Sequence, residues 1–258
     1  MRRTVDPLDF ITALAREAGA LLRDRLNGPR EIAEKQRKDL VTDADRASEA
    51  LIVERIRAAY PTAAVLGEEG GSYPGRGPER FIVDPLDGTS NYAHRYPIFC
   101  VSIAYEREGV LEAGAIYAPM LDELFAARRG GIATCNDTSI RVSEIASVGD
   151  AMVCTGFKPS DYDRNGAYFA TMSRTAQAVR RDGSAALDLA YVAAGRFDAF
   201  WEWDLSAWDV AAGAVIIEAA GGVVSAIDGT ALDIAAGSIL ASNSPLHSQM
   251  RGVLELKA

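Results

Sequence analysis

The six residues Asp84-Pro85-Leu86-Asp87-Gly88-Thr89 crowd two carboxylates, a free backbone carbonyl and a hydroxyl into one tight turn. Oxygen donors at such close quarters are what hard divalent cations such as Mg²⁺ select. The apolar run Phe81-Ile82-Val83 just before them reads as a buried strand, so the donors would be presented at a strand's end. The plainer alternative is a turn that uses Asp, Pro and Gly for their backbone preferences alone. A plain turn seldom needs both acids and the threonine, which favours the metal reading.

Two carboxylates rarely complete a catalytic metal site, and three further acidic segments are candidates for the rest. Gly67-Glu68-Glu69-Gly70-Gly71 follows the short apolar run 64–66, and taken alone reads as a polar loop. Trp208-Asp209-Val210 lies at a helix start, where Asp209 could simply cap the helix or complement its dipole. The run Asp39-Leu40-Val41-Thr42-Asp43-Ala44-Asp45 has the N-cap of the next helix as its plain role. There is no GxSxG nucleophile and no P-loop, and two histidines (His94, His247) are too few for a histidine-led site.

The elements that must position these groups follow from periodicity. Asp6-Pro7-Leu8-Asp9 is a helix start with Asp6 as cap, and Phe10, Ile11, Leu14, Ala18, Leu21 and Leu22 continue at helical spacing until Asn27-Gly28-Pro29. A second helix covers 44–59, with Ala47, Ala50, Leu51, Val53 and Ile56 expected inward. Short strands are expected at 64–66, 81–83, 99–106, 111–117 and 123–127, with turns at Gly109 and Gly130-Gly131. Alternation follows: a strand at 151–155, helices over 163–180 and 185–194, a strand at 197–203, a helix over 206–220, strands near 223–227 and 238–241, and a last helix from Pro245. Strands first and alternation afterwards predict a layered α/β architecture with two sheets. The change of pattern near residue 145 separates two packed halves, since no linker is rich enough in Pro, Gly or Ser to free them.

Composition narrows the function classes. The 258 residues, 48% hydrophobic and 24% charged, describe a globular protein, and a net charge of −9 argues against broad nucleic-acid or anionic-membrane binding. Three cysteines (Cys100, Cys135, Cys154) form an odd number without metal-type spacing, so reduced thiols in a cytoplasm are expected.

Taken together, the acidic segments resemble a known family. FIVDPLDGTSNYAH at 81–94 resembles the first signature of the inositol monophosphatase family of Mg²⁺-dependent phosphatases, and WDVAAGAVIIEAAGG at 208–222 resembles the second. GEE at 67–69, DLVTDAD at 39–45 and GSAALDLAYVAAG at 183–195 fall in the family's order. The likeness covers essentially the whole chain, and it implies an α+β-layered αβαβα sandwich of the inositol monophosphatase/fructose-1,6-bisphosphatase type. It also implies two to three Mg²⁺ ions. Glu68, Asp84 and the carbonyl of Leu86 would hold the first, and Asp84, Asp87 and Asp209 the second. A third would be held weakly through Glu68 and water. Thr89 would orient the attacking water with Asp45 accepting from its hydroxyl, and backbone amides of Gly88 and Thr89 would hold the phosphate beside Asp87.

The resemblance further assigns residues 1–145 most of the metal ligands, and 146–258 Asp209 and substrate recognition. Backbone at Gly183, Ser184 and Ala185 would meet inositol hydroxyls, and Glu202, seven residues before Asp209, would accept from a sugar hydroxyl. A solvated strand acid between Trp201 and Trp203 is the alternative for Glu202. Myo-inositol 1-phosphate is the expected substrate, because the tail from Ser90 to Pro97 looks like the inositol-phosphate branch. Arg180 and Arg181 would either salt-bridge a dimer contact or meet a second phosphate, the latter favouring fructose 1,6-bisphosphate. Lys35 and Lys38 are two candidates for a family lysine on a shortened loop. A regulatory protein binding transcription machinery is the alternative from a different class. The family usually forms homodimers, so a homodimer without nucleic-acid or membrane partners is expected.

Overall fold

The computed structural model describes residues 5–28, 32–36, 39–157 and 162–255, with 32–36, 39–41 and 162–164 described as backbone only. Helix α1 (Pro7–Arg25) starts on Asp6, whose carboxylate accepts the Leu8 and Asp9 N–H groups at 3.0 and 3.2 Å. A hairpin of β1 (Ile32–Gln36) and β2 (Asp39–Thr42) leads into α2 (Asp43–Ala59). The next strands are β3 (Ala64–Gly67), β4 (Gly71–Tyr73) and β5 (Glu79–Asp87), and a single turn of helix, α3 (Thr89–Ala93), follows. Then come β6 (Cys100–Arg107), β7 (Val110–Ala118), β8 (Glu123–Arg128), β9 (Thr134–Cys135) and β10 (Thr138–Ser139). These form an eight-stranded sheet ordered β10-β9-β8-β7-β6-β5-β3-β4, antiparallel except for the β3–β5 pair.

The second sheet draws on β11 (Met152–Thr155), α4 (Tyr162–Thr175), β12 (Ala178–Arg180), α5 (Ala185–Ala193), β13 (Ala199–Glu202), α6 (Ala207–Ala219), β14 (Val223–Ser225), β15 (Ile239–Ser242) and α7 (Ser244–Glu255). Its order is β12-β11-β13-β15-β14, with β11 parallel to both neighbours.

Side-chain alternation along the strands fixes the layering. In β5, Phe81 and Val83 pack with Ile11, Leu22, Ile52 and Ile56 of α1 and α2, whereas Ile82 turns to the opposite face. There it joins Leu189 of α5 and Val215 and Ile216 of α6, which also cover Cys154, Phe200 and Ala241 of the second sheet. The far face of that sheet carries Val153, Trp201 and Leu240 against Tyr168 and Met172 of α4 and Leu246 and Met250 of α7. The result is a five-layer αβαβα sandwich. Its middle helices touch sheets on both sides, which is why all nine residues of α5 are buried.

Several expectations need correction. The helix expected over 163–180 ends at Thr175, and residues 178–180 instead form edge strand β12, where Val179 pairs with Val153. The inward face of α2 is Ala44, Asp45, Ser48, Glu49, Ile52, Val53 and Ile56; Ala50 faces solvent and Ala47 and Leu51 are only half-buried. Assuming that polar residues point outward rotated that face. The strand expected to stop at Val83 runs on to Asp87 through a register shift against β6. Lys38 lies outside the described residues, as does the Lys35 side chain.

Candidate metal centre

The irregularity in β5 explains how two acids three residues apart come to face one point. Asp84 pairs with Ser102 and Asp87 with Cys100, so β5 carries one more residue than its partner across that interval. Plain alternation would send the two carboxylates to opposite faces; a one-residue bulge restores them to the same one. Pro85, which cannot donate to the ladder, sits in the interruption. The Pro85 carbonyl accepts the Ser48 hydroxyl at 2.8 Å, which ties the bulge to α2.

One carboxylate oxygen from each of Asp84, Asp87 and Asp209 lies within 4.8 Å of the others. Asp84 is 1% exposed and accepts the Leu86 N–H at 3.0 Å. Asp87 accepts the Ser184 hydroxyl at 2.7 Å and the Ala186 N–H at 2.8 Å, and the Cys100 sulfur lies 3.7 Å away. Asp209 sits in the first turn of α6, where it closes a capping box with Ser206 and accepts that residue's N–H at 2.7 Å. The expected cap and the acid cluster therefore share one side chain.

Burial pushes the Asp84 carboxyl well above its usual range, and the charges of Glu68, Asp87 and Asp209 push it further. Burial also raises Asp87, against the hydrogen bonds from Ser184 and Ala186. Interior acids that repel one another stay ionised only where a cation offsets them. The donor set is all oxygen, which suits a hard ion.

Beside the cluster, the Thr89 hydroxyl lies 2.9 Å from Asp45 Oδ1 and 3.2 Å from the Leu86 carbonyl. Asp45, fully buried, also accepts the Thr42 N–H at 2.8 Å and the Thr42 hydroxyl at 2.6 Å. Its carboxyl is raised by burial, with those hydrogen bonds acting the other way. Gly88 precedes Thr89 at φ 92°, and a Cβ there would stand 3.0 Å from the Ile98 carbonyl, so both backbone and space require glycine.

The expected substrate residues come from the second half of the chain. Ser184, 1% exposed, caps α5 and spends its hydroxyl on Asp87, and Ala185 is buried in the first turn. Gly183 adopts φ 83° next to Asn91, whose amide donates to the carbonyls of Asp182 at 2.8 Å and Ile98 at 2.7 Å. Glu202 ends β13 and is 7% exposed, which removes the alternative of a solvated strand acid. Gly156 makes room for it, since a Cβ would sit 2.6 Å from Glu202 Oε1.

Sequence reasoning missed Glu49. It is 2% exposed on α2, and its carboxylate accepts the N–H groups of Glu69 and Gly70 at 2.8 and 2.6 Å and the Tyr73 hydroxyl at 2.9 Å. It thereby clamps the turn that carries Glu68. Its signal was the line Asp45, Ser48, Glu49, Ile52, Ile56, a stripe at helical spacing that mixes acids with isoleucines. Asn91 and Cys100 were missed as well, because their partners are remote in sequence.

A hard-cation cluster beside a hydroxyl–carboxylate pair is the equipment of a metal-dependent hydrolase. The chain belongs to the inositol monophosphatase family, whose model matches residues 5–255. That family comprises metal-dependent phosphatases acting on small phosphorylated substrates. The chain is 41% identical to the inositol-1-monophosphatase of Rhizobium meliloti (strain 1021), over 94% of this chain and 91% of that one. It is 42% identical to the Nus factor SuhB of Pseudomonas aeruginosa, over 92% and 91% of the two chains. The crystal structure of extragenic suppressor protein suhB from Bartonella henselae superposes with a TM-score of 0.94 at 36% identity, over 97% of this chain and 98% of that one.

Proposed function

We propose that this protein hydrolyses a phosphate monoester with Mg²⁺, and that its substrate is myo-inositol 1-phosphate. The observation that carries the reading is the convergence of Asp84, Asp87 and Asp209 beside the Thr89–Asp45 pair. Glu68, Asp84 and the Leu86 carbonyl would hold one ion, Asp84, Asp87 and Asp209 another, and Glu68 a third through water. Bound Mg²⁺ supplies charge neutralisation of the phosphoryl oxygens and a water of lowered pKa.

Thr89 has one hydroxyl proton and two acceptors in reach, Asp45 Oδ1 and the Leu86 carbonyl. Giving that proton to Asp45 frees the Leu86 carbonyl for an ion and leaves a Thr89 lone pair to accept from the attacking water. Gly88 and Thr89 N–H groups hold the ester next to Asp87. Gly183, Ser184 and Ala185, with Glu202, recognise the leaving alcohol. Residues 1–145 thus supply most of the metal ligands, and 146–258 supply Asp209 and specificity. The same reading carries a cytoplasmic homodimer, consistent with three free cysteines and testable by sedimentation.

Phosphate release from inositol 1-phosphate, fructose 1,6-bisphosphate, histidinol phosphate and adenosine bisphosphate, with and without Mg²⁺, tests the assignment. Preferred turnover of inositol 1-phosphate that vanishes on chelation supports it. Preference for another ester reassigns the substrate, and turnover indifferent to metal refutes the mechanism. A second reading, binding to transcription machinery, is favoured by the relative named Nus factor SuhB. Retention of RNA polymerase by an Asp87→Asn variant lacking phosphatase activity would establish it.

A further inference from the structure

A second group of ligand-type side chains lies behind the 182–184 loop, apart from the cluster around Asp84. Cys154 of β11, Asp182 and Asp188 of α5 place a sulfur and two carboxylate oxygens all within 4.8 Å of one another. Their spacing in the chain carries no metal signature; parallel pairing of β11 with β12 and the packing of α5 over β11 bring them together. Cys154 is fully buried, Asp188 is 1% exposed and Asp182 is half-buried at the rim. The Cys154 sulfur and a carboxylate oxygen of Asp188 are thus close neighbours. Asp188 Oδ1 nevertheless has no hydrogen-bond partner among the described residues.

A buried carboxylate oxygen without a partner marks a place where water or an ion belongs. The charge around it chooses between them. Asp182, Asp87 and Glu202 all act on Asp188 in the direction that disfavours its ionisation, and burial does so more strongly. The Cys154 thiol is likewise pushed up by burial and by Asp188. A neutral water relieves neither, whereas a cation relieves both.

We propose that Cys154, Asp182 and Asp188 form a second cation site, selective for a thiophilic divalent ion of the Zn²⁺ or Co²⁺ type. Sulfur excludes Mg²⁺ from such a donor set, and one thiolate with two carboxylates leaves a fourth, tetrahedral position for water. Bonds of about 2.3 Å to sulfur and about 2.0–2.2 Å to oxygen bracket a group of this size. On binding, the thiol proton and any proton on Asp188 leave to solvent, and metal–sulfur and metal–oxygen bonds replace them; no electron is transferred. The half-buried Asp182 provides the way in. Ser184 and Ala186, which fasten Asp87, lie between the two acids, so the ion would fix that segment.

The proposal stands independently of the phosphatase reading and is tested on the full chain with Mg²⁺ saturating the other cluster. Co²⁺ is added and the thiolate-to-cobalt absorption recorded, while Zn²⁺ binding is measured by calorimetry. One equivalent of Co²⁺ should give the thiolate band in the wild type and in Cys100→Ala, and none in a Cys154→Ser variant shown to be folded by circular dichroism. Asp182→Asn, altered at a half-buried position, should keep the thiol and weaken Zn²⁺ binding by at least about tenfold. Absence of the band in the wild type, its persistence in Cys154→Ser, or unchanged Zn²⁺ affinity in Asp182→Asn would overturn the site and leave water as the partner of Asp188.

Discussion

Thr89 and Asp209 each serve two partners, and their substitution separates roles that the native side chains combine. Thr89→Ala removes the hydroxyl between Asp45 and the Leu86 carbonyl without touching the acids. Turnover of inositol 1-phosphate should fall by about 10²–10⁴-fold while the circular dichroism spectrum is unchanged. Thr89→Ser, which keeps the hydroxyl, should retain most of the rate. Asp209→Asn should pull stability and metal binding in opposite directions. The amide oxygen can still accept the Ser206 N–H, but one of the charges bearing on Asp84 is gone. The metal-free variant should therefore melt above the metal-free wild type, by a few degrees for about 1 kcal/mol, yet require more Mg²⁺ for half-maximal activity. A metal-free melting point at or below that of the wild type would mean that repulsion among the acids is not what Asp209 contributes.

At the level of elements, the turn carrying Glu68 is held from outside by Glu49 of α2. Glu49→Gln turns one of its acceptors into a donor facing N–H groups or a hydroxyl. A buried mismatch of that kind costs about 1–3 kcal/mol. A lower melting point together with a raised Mg²⁺ requirement is expected, measured by thermal melts and by activity against Mg²⁺ concentration; an unchanged requirement would show that the turn needs no clamp. This element also marks where the sequence stopped being legible. A layered arrangement of two sheets followed from the pattern of elements, and the αβαβα order from the family resemblance; in the fold, β5 alternates Phe81, Ile82 and Val83 between two cores. The acids stood out for their type and local company. The bulge between Asp84 and Asp87 did not, since it is fixed by pairing with Ser102 and Cys100, distant in the chain. Glu49 was hidden by the rule that charged residues face water, which fails where buried N–H groups need an acceptor. The short strands β4, β9, β10 and β12 have two or three residues each, too few for a period to show.

For the molecule as a whole, proton and metal compete for the same interior. Burial raises Asp84, Asp87, Asp45 and Asp188 above their usual value of 3.8, and the charges of neighbouring acids add to it at Asp84 and Asp188. A carboxyl raised on folding contributes stability below its unfolded pKa and loses it as pH climbs through the folded one. The metal-free fold should thus forfeit that contribution as pH rises from the ordinary carboxylate range. Mg²⁺ should restore it only once the protons have left. The gain in melting temperature on adding Mg²⁺ should accordingly grow with pH, which a series of melts in chelator and in Mg²⁺ will show; a gain independent of pH would mean that metal binding does not compete with these protons. The converging acids come from β5 and from the start of α6, separated by well over a hundred residues of chain. A ribosome releases Asp84 and Asp87 long before Asp209, and α6 must seat against the first sheet before the trio exists. Any ion held by all three acids must thus wait for α6, and a nascent product truncated before that helix would be left without the trio.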